Sequence, residues 1–117
     1  CAPVVRTLRL RSHDDEPIMV NINTIPRACL PGPVAYRDWS SSITAALAAH
    51  GHYVLSSAAR ITATELPDAI GTRYGLAGLG AWLLVQERCV TADGRRVLYA
   101  EDFHRGSAFA FQVLRHR

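Results

Sequence analysis

Val4-Val5-Arg6-Thr7-Leu8-Arg9, with Asp14-Asp15 and Ile18-Met19-Val20 after it, decides the fold because the chain carries the pattern twice. At a shift of about 79 positions these residues fall on Leu83-Leu84-Val85-Gln86-Glu87-Arg88, Asp93-Gly94 and Val97-Leu98-Tyr99. Each copy reads as an apolar strand, an acidic turn and a second apolar strand. Asp-Gly suits the positive backbone angles of a tight hairpin strongly, and Asp-Asp suits them less well. Two such hairpins imply a duplicated unit around a pseudo-two-fold axis, with the crevice between the copies as the natural ligand site. One duplication of this length is not a solenoid.

The second copy is preceded by a strand over Tyr53–Thr62 and a short helix over Asp68–Tyr74, whose counterparts in the first copy would lie upstream of Cys1. The expectation is a fragment of a larger polypeptide that starts within a domain and lacks its first strand and helix. At 117 residues the chain makes one domain with one core. A hydrophobic content of 49% excludes disorder. No apolar run approaches the roughly 20 residues of a membrane span, and the start has no signal-peptide pattern. Cys1, Cys29 and Cys89 share no metal-ligand spacing, so idle or buried thiols in a cytosolic protein are expected. The net charge of +3 comes with thirteen basic residues, all Arg, scattered without a stripe. Only Arg115-His116-Arg117 cluster, and no helix-turn-helix pattern appears, so direct DNA contact by this chain is not expected.

Read in order, strands Val4–Arg11 and Pro17–Thr24 lead into a loop containing Pro31-Gly32-Pro33 and ending near Trp39. Ser40-Ser41-Ser42 can cap a helix over Ile43–His50 that Gly51 closes. Pro67 falls in the first turn of the short helix. The second hairpin spans Ala81–Val90 and Arg96–His104, and a last strand over Ala108–Leu114 follows the Gly106-Ser107 turn. Successive hairpins predict an α+β fold: a mainly antiparallel sheet with helices on one face.

Four places can carry chemistry. Arg9 and Arg11 are two apart on a strand and share a face, so their forks can converge on a phosphate or carboxylate. Cross-strand ion pairing to Glu16 or Glu101 is the structural alternative. The serines before Ile43 can offer an anion the first turn of a helix, or can simply cap it. In Glu101-Asp102-Phe103-His104-Arg105, Glu101 and Phe103 share one face while Asp102 and His104 share the other. A carboxylate beside an aromatic ring can orient sugar hydroxyls or an amine; a hydrated strand end is the alternative. His13, His50 and His52 lack the spacing of a helical metal pair, so no metal or cofactor is expected.

These residues also resemble a known family. Arg9-Leu10-Arg11-x-x-Asp14-x-Glu16-Pro17, followed by Ile25-Pro26, is similar to the RLRxADGEPxxxExxYIP stretch of UTRA domains. These are the effector-binding domains of GntR-type bacterial regulators in the HutC branch, with a chorismate lyase-like fold. Ser42-Ile43-Thr44-Ala45-Ala46-Leu47, Ala58-x-Arg60-Ile61-x-Ala63, Leu76–Gly80, Asp93-Gly94, Tyr99 and Arg105-Gly106 continue the match in order. The resemblance implies a cytoplasmic, homodimeric ligand sensor with no membrane contact. A winged helix-turn-helix domain would stand upstream and make the DNA contacts. The effector implied is a small anionic metabolite, a phosphorylated sugar or similar. Carried over by position, Arg9, Arg11, Ser42 and Thr44 are implied as effector contacts, with Glu101 and Phe103 beside them; Asn21 and Phe109 fall at further pocket positions. Asn21 stands where many members have Glu, Thr44 where Tyr is common, and Ser107-Ala108-Phe109 replaces Asp-Arg-Tyr. A pocket altered in this way is expected to prefer an effector other than amino-sugar phosphates. The rival readings are a chorismate lyase-like enzyme, for which no acid–base or nucleophile set is found, and a ligand-free dimerisation module.

Overall fold

Two hairpins that meet along their second strands organise the chain. The computed structural model describes residues 3–30 and 43–115. In chain order it contains β1 (Val4–His13), β2 (Glu16–Pro26), a 3-10 turn (Arg27–Cys29), α1 (Ile43–Ala49), β3 (Ser56–Thr64), α2 (Asp68–Arg73), β4 (Trp82–Val90) and β5 (Arg96–Arg105). The sheet order is β1-β2-β5-β4-β3, and every neighbouring pair is antiparallel. The fold class is therefore the α+β class that the hairpins predicted. The Pro31-Gly32-Pro33 loop, Trp39 and the Ser40–Ser42 caps lie outside the described residues.

The duplication is visible in the register. β2 and β5 pair Val20 with Phe103, Ile22 with Glu101 and Thr24 with Tyr99. The repeat relates Val20 to Tyr99 and Thr24 to Phe103, so the pairing is symmetric about Ile22 and Glu101. Each hairpin also carries a register irregularity at the equivalent place, Arg11/Ser12 in one and Cys89/Val90 in the other. One detail differs from the sequence alignment. Arg9 faces Asn21 across the first hairpin, whereas Glu87 faces Ala100 across the second. Arg9 is thus equivalent to Glu87 and not to Arg88, because the two turns differ in length. Asp14 and Asp15 make the first turn with φ of 50° and 64°. The second is a wider loop in which Thr91 N–H donates to the Arg95 carbonyl (3.0 Å) and Gly94 takes φ 79°.

Strand parity assigns the two faces. On the front lie Thr7, Arg9, Asn21, Asn23, Asp102 and His104; on the back lie Leu8, Val20, Ile22, Tyr99, Glu101 and Phe103. Ile43 and Leu47 of α1 join Ile25, Leu98, Ala100 and Cys89 in a front-face core. Ile70 of α2 packs with Val20, Ile22, Leu76, Trp82 and Phe103 on the back. The helices therefore do not share one face, contrary to expectation. At about 1.5 Å per residue, helices of 7 and 6 residues each cover only part of a face, and a sheet apolar on both sides needs one on each.

Both helices stop at glycine. His52 N–H reaches the Leu47 carbonyl (2.9 Å), Gly51 N–H reaches Ala48 (3.0 Å), and Gly51 has φ 82°, a left-handed C-terminal cap. Leu76 N–H closes α2 in the same way on the Gly71 carbonyl at 2.8 Å. Pro67 precedes α2 as its N-cap and does not enter its first turn.

The predicted last strand does not form. A strand following β5 in a hairpin needs a vacant edge beside β5, and β2 and β4 already occupy both. Instead the chain turns at Gly106, whose N–H donates to the Ala81 carbonyl (2.9 Å). Phe109 and Phe111 then lie edge-on against His104, at ring separations of 4.7 and 5.3 Å. A Cβ on Gly106 would sit 2.7 Å from the Ala81 carbonyl oxygen, a backbone atom with no room to yield. Gly106→Ala is expected to cost about 1–3 kcal/mol, measured as a lower denaturant midpoint at unchanged slope.

Candidate functional site

The front face changes character along β2 and β5. Next to α1 it is apolar, through Ile25, Leu98 and Ala100; toward the other end it becomes a polar floor. Asn21 and Asn23 are buried there, at 8% and 3% exposure. Burial of an amide is tolerable only when its groups are paired, and here they pair with one another. Asn21 Nδ2 donates to Asp102 Oδ1 across the β2–β5 seam. Asn21 Oδ1 accepts from Asn23 Nδ2 (2.7 Å) and from Arg9 Nη2 (3.5 Å). Asn23 Nδ2 also reaches Thr7 Oγ1 at 3.5 Å. The Asn21 amide thus stands between the Arg9 cation and the Asp102 anion, holding each through an opposite end of its dipole.

Arg9 is half-buried by this network, while Arg11, one turn of the pleat toward the hairpin tip, is exposed. Both project from the front, as the two-residue spacing predicted. His104 closes the far end of the floor. It is half-buried beneath Phe109 and Phe111, and its Nδ1 is buried without a hydrogen-bond partner among the described residues. Burial pushes its pKa below the ordinary imidazole value of 6.5, against a smaller upward pull from Asp102.

The structure brings together Arg9, Arg11 and Asn21 on the floor, with Phe109 at its end. Thr44 is exposed on α1, the helix that flanks the floor. Ser42 lies outside the described residues. Glu101 and Phe103 are not brought to this face: Glu101 projects from the back, and Phe103, 4% exposed, is part of the back core. Asp102, Asn23, Thr7 and His104 take part in the front face and were missed as site residues. Parity had already separated Asp102 and His104 from Glu101 and Phe103, but only the register with β2 says which pair faces Arg9.

Elsewhere, a cavity of about 500 Å³ between α2 and Trp82, lined by Leu66, Gly71, Leu76 and Gly80, shares no residue with this floor. Cys29 and Cys89 are buried free thiols in the front core. Burial, helped by Glu87, raises the Cys89 pKa above 9.0 and keeps it a thiol. Among the described residues no cluster of His, Cys, Asp and Glu can hold a metal, and no helix is long and apolar enough to cross a membrane.

A five-stranded antiparallel sheet made of two hairpins and β3, with a short helix on each face, is the α+β architecture of chorismate lyase-like domains. The chain belongs to the UTRA domain family, whose model matches residues 2–110. Its fold is shared with the effector domain of PhnF from Mycobacterium smegmatis, at 20% identity and TM-score 0.85, covering 99% of this chain and 72% of that one. A GntR-family transcriptional regulator from Enterococcus faecalis is 25% identical, with TM-score 0.75 and coverage of 96% and 81%. The effector-binding domain of the Bacillus subtilis trehalose repressor is 19% identical, with TM-score 0.77 and coverage of 97% and 79%. No curated protein matches the sequence. The chain is thus an effector-binding domain of the GntR-regulator type, with a role in ligand-responsive transcription regulation.

Two outcomes test the floor. Asn21→Leu keeps the volume but strands the partners of Asn21, so it should cost about 1–3 kcal/mol, read by chemical denaturation. His104 binds a proton less readily folded than unfolded, so its contribution to stability is complete above the unfolded pKa near 6.5 and falls as pH drops from there through the folded value. Melting temperature should decline across that acid window in the parent, and His104→Gln should flatten the decline.

Proposed function

We propose that this chain is the sensor of a HutC-type GntR regulator, that it binds a small anionic metabolite on the front face, and that binding controls an upstream winged helix-turn-helix domain. The observation that carries this reading is the placement of Arg9 and Arg11 on one face beside a buried amide network. Two guanidinium forks can grip a phosphate or carboxylate through several charge-assisted hydrogen bonds. The network holds the Arg9 fork, so less ordering entropy is lost when an anion arrives. Asn21 matters to the choice of ligand. A carboxylate at this position would face Asp102 and offer an acceptor to ligand hydroxyls or an amine; the neutral amide leaves the two arginines to favour an anion.

The same reading makes the protein cytoplasmic and homodimeric, with DNA bound through the upstream domain alone. An effector can shift DNA affinity only by as much as it distinguishes two arrangements of that dimer. Thr44 of α1 completes the proposed contact set from the helix side, and Ser42 is kept in it by its match to the family motif alone.

Calorimetry against phosphorylated sugars and other small anionic metabolites tests the proposal. Saturable binding is expected, weakened roughly tenfold or more, about 1.4 kcal/mol, by Arg9→Ala and by Arg11→Ala separately. Binding that survives both substitutions unchanged overturns the site. No binding by any anion, together with a stable dimer in light scattering, supports the dimerisation module instead.

A further inference from the structure

The back of the sheet carries a second gathering of cationic and hydroxyl groups that the front-face reading leaves unused. Four directly paired positions cross it in a row: Arg6 with Thr24, Thr24 with Tyr99, and Tyr99 with Arg88. These residues are far apart in sequence and share one face only through the register. A cavity of about 270 Å³ opens on this row, its polar lining from Thr24, Tyr99, Arg88 and Arg96, with apolar walls from Val4 and Pro26. Water occupies about 30 Å³ per molecule in the liquid, so the space suits a ligand of several heavy atoms and not only an ion.

We infer that this cavity is a second anion site, taking a small organic molecule with one carboxylate or phosphate on a short apolar body. The Arg88 guanidinium lies over the Tyr99 ring, 5.4 Å from its centroid, and cation–π stacking holds its plane while leaving its N–H edge available. The Tyr99 hydroxyl accepts from Gln86 Nε2 at 2.8 Å, so its own proton can be donated to a ligand. Thr24 brings a second hydroxyl from the adjacent strand. Arg95 and Arg105 are engaged by Asp93 and Glu16, but among the described residues neither Arg88 nor Arg96 forms an ion pair. Glu101 is the nearby carboxylate on this face, opposite Gln86. It limits the charge the site favours to a single oxyanion group. Val4 and Pro26 select for apolar bulk on that group.

The test is an NMR titration of the 117-residue chain with benzoate and, separately, phenyl phosphate, with benzyl alcohol as the neutral control. The expected result is saturable shifts of the Arg88 and Arg96 side-chain N–H groups and the Thr24 amide with at least one anion and not with the alcohol. Arg88→Gln, an exposed position, should weaken that binding about tenfold or more, and Tyr99→Phe should weaken it while leaving the amide spectrum otherwise intact. Arg9→Ala should leave it unchanged, which separates this site from the front floor. Shifts confined to the front face, equal shifts from sodium chloride at matched ionic strength, or binding indifferent to Arg88→Gln would each overturn the inference.

Discussion

The pairing of β2 with β5 is the constraint on which the rest of the structure depends. These two central strands belong to different hairpins, and only their ladder joins the hairpins into one sheet. Because side chains alternate strictly along a strand, a one-residue slip at this seam would exchange the faces of an entire hairpin. Val20, Ile22 and Phe103 would lose the α2 core, and Asn21 and Asp102 would no longer meet. The apolar residues fix the register by burial, and the Asn21–Asp102 hydrogen bond is available only in that register. Core and floor are thus specified by the same seam.

Much of this was legible in the sequence because it is local. Asp93-Gly94, the Gly51 stop and the two-residue spacing of Arg9 and Arg11 each express a backbone preference within a few residues. The elements that were misread depend on what lies beside them. The alternation of Phe109, Phe111 and Val113 is a genuine strand pattern, but the edge it would need is taken. Its rings find a surface on His104 instead. The one-residue difference between the hairpins depends on the length of each turn, which the apolar pattern does not record. Arg88 and Arg9 are alike in sequence and lie on opposite faces for that reason.

Charge placement divides in the same way. Read along the chain, the arginines are scattered; read across the ladder, Arg6 and Arg88 flank one row on the back, while Arg9 and Arg11 stand together on the front. A sheet brings together residues from distant segments, so a linear search for basic stripes suits helices and understates strands. Glu101 and Phe103 show the converse, since their neighbours in sequence, Asp102 and His104, are the ones that reach the floor.

The floor also bears on how binding there could be transmitted. Arg9 sits on the edge hairpin, Asp102 on the central strand of the other, and Asn21 bonds to both. An anion that draws on the other N–H groups of Arg9 pulls on a fork that the Asn21 carbonyl holds, and so acts on the amide that spans the seam. Asn23 shares that acceptor and links it to Thr7, so the response is distributed over β1, β2 and β5 together. His104 and the segment packed on it adjoin the same strand. A change at the floor therefore acts on the same seam that both apolar cores span, so it reaches the two hairpins and their packing together.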